Sequence, residues 1–219
     1  MARICATTVI VALCVIISII GWVGDTEDIF SGFGYSTENM FSGKIYVLIT
    51  SVFLHANAAH LFSNIFVLLI FGLVLEQEIR CKKFLMLFFG GAFLGALLSS
   101  LFYSYSQIAI GASGGVFAIV AATMLIKPVP MDYYVPIPLG VIAIGYIFYA
   151  IAGLIFNYPP HVAHIAHLGG ALAGLIFGCR KQGLKSTLRI IMAVTILLLF
   201  VPVIWNFWAL IMDLLLGIF

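Results

Sequence analysis

Charge is what this sequence has least of. Eight acidic and ten basic side chains make up 8% of the 219 residues, against 64% hydrophobic. Soluble domains carry about a quarter charged residues, so a surface that faces water on all sides is excluded. With a mean hydropathy of +1.23, the solvent must be lipid. The net charge of +2 makes no basic field for nucleic acid, and that class of partner is excluded too. Cysteine is sparse: Cys5 and Cys14 share one apolar run, and Cys81 and Cys179 flank basic segments. They form no disulfide framework and read as free thiols. A His-Glu-x-x-His helix is missing. Paired carboxylates at membrane depth are missing as well, since Asp132 falls in a loop and Asp213 near the end of the last apolar run.

Long apolar runs are present instead. A spanning helix needs about 20 such residues, and the pattern predicts helices near 4–24, 57–78, 84–103, 112–126, 136–157, 162–179 and 188–217. The first reads as a retained anchor, because no small-x-small cleavage site precedes Asp25, Glu27 and Asp28. Arg3, Arg80, Lys82, Lys83, Lys127, Arg180, Lys181, Lys185 and Arg189 fall on one side of these spans, and Lys44 alone falls opposite. The positive-inside rule then puts the N-terminus in the cytoplasm and the C-terminus outside, in a cell membrane. The one long connection, 25–54, ends in the apolar run Ile45 to Leu54, too short to span. It is expected in or on the outer leaflet. Glu76 and Glu78 read as a solvated helix end, with Glu76 also a candidate for holding the cytoplasmic loop in place.

Polar residues at membrane depth cost free energy and point to function. Three clusters interrupt the spans. The second opens with His55, His60, Ser63 and Asn64, where His60 and Asn64 share a face. The fourth opens with Gly111-Ala112-Ser113-Gly114-Gly115, and the sixth carries His161, His164 and His167 before Gly169 and Gly170. Counting back from Lys127, Arg180 and Arg80 puts Ser113, His167 and Asn64 roughly 21, 20 and 24 Å above the inner boundary. They share one plane, about 6 to 10 Å below the outer surface, which calls for a water-filled cavity. Ala163, His167, Gly170, Ala171, Gly174 and Gly178 form a stripe of small residues. It is suited to close approach by the face bearing Gly111, Gly114 and Gly115.

No lysine lies in the outer half of a span, which removes Ser-Lys chemistry. What remains is serine with histidine as general base, and no Asp or Glu placed to orient the ring: a dyad. Ser113 would attack a carbonyl, His167 would take and return the proton, and His60, Asn64 and the Ser113 backbone N–H are candidates for stabilising the oxyanion. The spacing of His161, His164 and His167 is compatible with metal binding, but no cysteine or carboxylate completes a site. No cofactor is expected. Judged by its polar groove alone, the chain also fits a silent binder of membrane segments or, less well, a channel.

The motifs His55-x4-His60-x3-Asn64, Gly111-x-Ser113-Gly114 and Ala166-His167-x-Gly169-Gly170 resemble those of the rhomboid intramembrane serine proteases, over about residues 43–180. The resemblance implies an all-α polytopic membrane bundle, with a six-helix core over 1–183 and an additional C-terminal transmembrane helix over 184–219. It implies Ser113 as nucleophile, His167 as base, His60 and Asn64 as oxyanion site, and His55 as a structural contact to the first loop. Phe117 becomes the aromatic against the catalytic ring, with Gly111, Gly114 and Gly170 supporting. Partners would be transmembrane protein substrates in the bilayer. The chain departs from the family in lacking the Trp-Arg pair many members carry in the first loop, where Tyr46 is the nearest aromatic.

Overall fold

The structure is a computed structural model that describes residues 6–129, 138–158 and 162–216. Its elements are helices α1 (Ala6–Val23), α2 (Thr26–Phe33), α3 (Thr37–Phe41), α4 (Val47–Thr50), a 3-10 turn (Ser51–Phe53), then α5 (Ala58–Phe102), α6 (Ser113–Ile126), α7 (Leu139–Phe156), α8 (His164–Gln182) and α9 (Leu184–Leu216). Among the described residues, α1, α5 and α7 are long and apolar enough to cross a membrane, and α6 is a shorter apolar helix. His161 and Asp132, singled out from the sequence, lie outside the described residues.

Two helices expected at 57–78 and 84–103 are continuous in α5 except at Arg80, whose φ of 64° and ψ of 158° are not helical. A straight helix of 45 residues would be about 68 Å long, more than twice the hydrocarbon thickness. The chain instead folds back at Arg80, since Ser63 and Ser100, from opposite ends of α5, line the same cavity. Asn57 starts the helix by accepting a hydrogen bond from the His60 N–H at 2.9 Å, as an N-cap does. Asp25 and Ser36 cap α2 and α3 in the same way.

α6 is the innermost helix, buried from Gly114 to Leu125. A helix that is apolar all round belongs in such a place. Both arms of α5 and α8 pack around it: Thr123 Oγ1 reaches the Phe71 carbonyl of the first arm, and Gly91 of the second arm sits against Ala118. α9 lies along α7, with Val194 against Gly140. The outer faces stay apolar, as at Phe62, Met86, Phe102, Ile155 and Phe156; in a membrane these meet lipid. The protein is an integral membrane protein.

The end of the bundle near the α5 break carries a charge cluster. Lys127 Nζ pairs with Glu78 at 3.0 Å, and Lys181 Nζ donates to the Glu78 carbonyl at 3.0 Å. Glu76 corrects the expectation of a solvated helix end. Its side chain is buried and accepts hydrogen bonds from the Ala6 N–H at 2.6 Å, the Thr7 N–H at 2.9 Å and Thr7 Oγ1 at 2.8 Å. The carboxylate satisfies unpaired amides at the start of α1 and complements the positive end of its dipole. Glu76→Ala strands those donors and should cost about 2 kcal/mol, with Glu76→Gln losing less. Thermal unfolding in detergent checks this, and an unchanged midpoint in Glu76→Ala would contradict it.

Candidate active site

The segment leading into α6 is held from several directions. Tyr35 and Ala109 exchange backbone hydrogen bonds at 3.0 and 2.7 Å, and the Tyr35 hydroxyl meets Ser100 Oγ. The Gly111 N–H donates to the Ser51 carbonyl at 2.9 Å. Gly111 has a φ of +123°, and a Cβ there would stand 2.8 Å from the His60 imidazole. Only glycine meets both conditions. The turn delivers Ser113 as the first residue of α6, and the serine lines a cavity of about 620 Å³.

His167 enters that cavity from the first turn of α8. Its imidazole stacks on Phe117 with centroids 4.4 Å apart and planes 9° apart, and Phe117 stacks in turn on Tyr146 at 4.9 Å. Ser113 and Phe117 are four residues apart on α6 and therefore share a face, so the ring that carries His167 also carries it toward the serine. One turn beyond His167, a Cβ on Gly170 would overlap the Gly114 carbonyl, and one turn further a Cβ on Gly174 would overlap that of Ala118. The small-residue stripe of α8 thus packs backbone against backbone on α6. The face it meets differs from expectation: Gly114 is in the contact, but Gly115 faces the Phe88 ring and Gly111 faces His60. Successive helical residues point about 100° apart, which is why neighbouring glycines serve different partners.

Among the described residues no hydrogen bond joins Ser113 to His167, although both line the cavity. His60 lines it as well. Its Nδ1 accepts from the Ala56 N–H at 3.4 Å, so the neutral ring keeps its proton on Nε2, the nitrogen on the Gly111 side. Asn64 is not in the lining. It sits one turn deeper, and its Nδ2 donates to the His60 carbonyl at 2.9 Å. His55 is fully buried, its ring edge-on to His60 at 5.0 Å. Its Nδ1 lies 3.0 Å from Ser18 Oγ, and its Nε2 accepts from the Ala112 N–H at 3.4 Å. His164 is buried against Gly153 and Tyr149, edge-on to His167. Tyr46, in the first loop, touches Phe33 and the Gly32 carbonyl. Among the described residues no group of three His, Cys, Asp or Glu side chains is placed to hold a metal ion.

Ser18, Trp22 and Tyr146 were not singled out from the sequence. A hydroxyl deep in an apolar span, ten residues beyond Thr8, was the available signal for Ser18, and nothing in the spacing marked Tyr146.

The family model for the Rhomboid domain matches residues 42–183. RHOMBOID-like protein 1 of Arabidopsis thaliana is 31% identical over 135 residues, which cover 62% of this chain and 34% of that protein. Rhomboid-like protein 11, chloroplastic, of the same plant is 38% identical over 144 residues, 60% of this chain and 50% of that protein. Rhomboid-like protease 2 of Toxoplasma gondii is 28% identical over 140 residues, 62% of this chain and 47% of that protein. The chain therefore spans half or less of the length of these relatives. α1, at 6–23, lies outside the matched range.

The α6–α8 contact is testable through glycine. Gly170→Ala should destabilise by about 1–3 kcal/mol because the methyl meets backbone, whereas Gly90→Ala, with open space around it, should be neutral or slightly stabilising. Equal unfolding midpoints for the two variants in one detergent would contradict the packing.

Proposed function

The chain belongs to the rhomboid family, and from that premise we propose that it is an intramembrane serine protease. The observation that carries this reading is the shared cavity: Ser113 and His167, from separate helices, line it together with His60, at the end of the bundle away from the Glu78–Lys127 pair. Ser113 is the nucleophile. His167, stacked on Phe117, removes the hydroxyl proton as Oγ attacks the scissile carbonyl and returns it to the leaving amine. Each transfer needs Ser113 and His167 to close to hydrogen-bond distance, a contact that in such pairs commonly tightens only on the substrate complex.

The tetrahedral oxyanion takes its hydrogen bonds from the Ser113 backbone N–H, at the start of α6, and from His60 Nε2–H. Each well-aimed donor contributes on the order of 3 kcal/mol. Asn64 joins them if its amide leaves the His60 carbonyl; in its present bond it orients the first turn of α5. His55, Gly111, Gly114 and Gly170 support the site by fixing the loop and the helix contact.

Substrates are transmembrane helices cut near the extracytoplasmic face, where small or helix-breaking residues unwind them. A regular helix keeps its carbonyls in hydrogen bonds and away from a nucleophile. The same proposal includes the cytoplasmic N-terminus, the cell membrane, the six-helix core over 1–183 with its first loop at 25–54, and the extra helix over 184–219, to which α9 contributes.

Incubating the detergent-solubilised protein with a transmembrane reporter tests the assignment. Wild type should cleave, and Ser113→Ala and His167→Ala should each lose at least about a thousandfold in kcat. Unimpaired cleavage by either variant removes the catalytic pair.

A further inference from the structure

A second element of the site comes from α1, which the family match does not reach. Ser18 and His55 are both fully buried. The Ala112 N–H, next to the nucleophile in the chain, donates to His55 Nε2 at 3.4 Å. A neutral imidazole that accepts at Nε2 carries its proton on Nδ1, so Nδ1–H donates to Ser18 Oγ at 3.0 Å. The Ser18 hydroxyl, having accepted, donates to the Phe53 carbonyl at 3.0 Å. Every donor in this series finds an acceptor, which a buried polar chain requires. Trp22, one turn further along α1, adds an Nε1–H bond to the His55 carbonyl at 2.7 Å.

We propose that Ser18 is a positioning residue for the nucleophile: through His55 it holds the Ala112 peptide, and with it the start of α6 and Ser113, in place. The inference rests on the reading of Ser113 as nucleophile. The serine acts by anchoring the ring through its Nδ1–H. Without Ser18 Oγ the buried Nδ1–H has no acceptor, and moving the proton to Nε2 would set it donor against donor on the Ala112 N–H, so the ring turns away from Ala112 to find a new acceptor. The peptide before Ser113 then loses its partner, and the backbone N–H groups at the start of α6 lose their fixed aim.

Cys14 supplies the control. It lies one turn earlier on α1, also buried, with Sγ against the Val52 carbonyl at 4.0 Å, and makes no hydrogen bond to His55. Labelling of the full-length protein by a fluorophosphonate, with kcat and KM on a transmembrane reporter, compares Ser18→Ala with Cys14→Ala. Ser18→Ala should label and turn over roughly tenfold more slowly, the worth of one aligned hydrogen bond, with KM unchanged. Cys14→Ala should match wild type in both rates. Equal rates in Ser18→Ala and wild type, or equal losses in the two variants, overturn the proposal. A wild type that never reacts with the probe sinks the protease reading itself, and the relay's role with it. If Ser18→Ala does not fold, nitrogen NMR of histidine-labelled wild type decides: a His55 ring protonated at Nδ1 supports the relay, and one protonated at Nε2 overturns it.

Discussion

The contact on which the site depends is the approach of α8 to α6 at Gly170 and Gly114. No side chain fits between them, so the two backbones set the distance between the helices. One turn away that distance brings the His167 ring onto Phe117 and into the cavity that Ser113 lines. In lipid there is little hydrophobic gain from bringing two apolar helices together, and close van der Waals packing takes over that role. The glycines therefore do in the membrane what a large apolar core does in water. A side chain at position 170 would move the imidazole away from the hydroxyl by widening the whole seam.

The second constraint is polar. A bilayer offers no water to an unpaired donor, so each buried polar group must be answered from within the protein. Glu76 answers the first amides of α1, and the series Ala112, His55, Ser18 and Phe53 answers the loop before Ser113. Both tie α1 to the helices that carry the site, one near each end of its length. α1 is thereby a structural partner of the helices that line the cavity, even though the family match begins only after it. The exceptions among the described residues include His164 and Thr187, whose side chains are buried without a hydrogen-bond partner, and the cavity that Ser113, His60 and His167 line.

Much of this was legible in the residues. Hydropathy located the helices because lipid tolerates few other patterns, and the periodic small residues of α8 announced a seam. The count of residues back from Lys127 and Arg180 sets Ser113 and His167 at one level, and the two line one cavity. Other features were hidden for identifiable reasons. Glu76 stands beside Glu78 and Arg80, and adjacent charges look solvated whether or not one of them reaches inward. The tight reversal at Arg80 depends on a single backbone conformation, which composition does not encode. Asn64 shares a face with His60, as its spacing implied, yet its amide bonds to its own helix, a local alternative that short polar side chains always have. Every face of α6 is apolar, so nothing in its pattern told Gly114 from Gly115. Ser18 had no partner in spacing, only one in space.

The central claim is that a serine hydroxyl and an imidazole from separate helices act together in the membrane. Mass spectrometry of the wild-type protein after treatment with a fluorophosphonate tests it most directly, because the reagent marks the one serine that a neighbouring base activates. The account requires the phosphonyl adduct on the peptide containing Ser113, and its disappearance when His167 is replaced by alanine. An adduct on another serine, or one at Ser113 that forms as fast without His167, would contradict it.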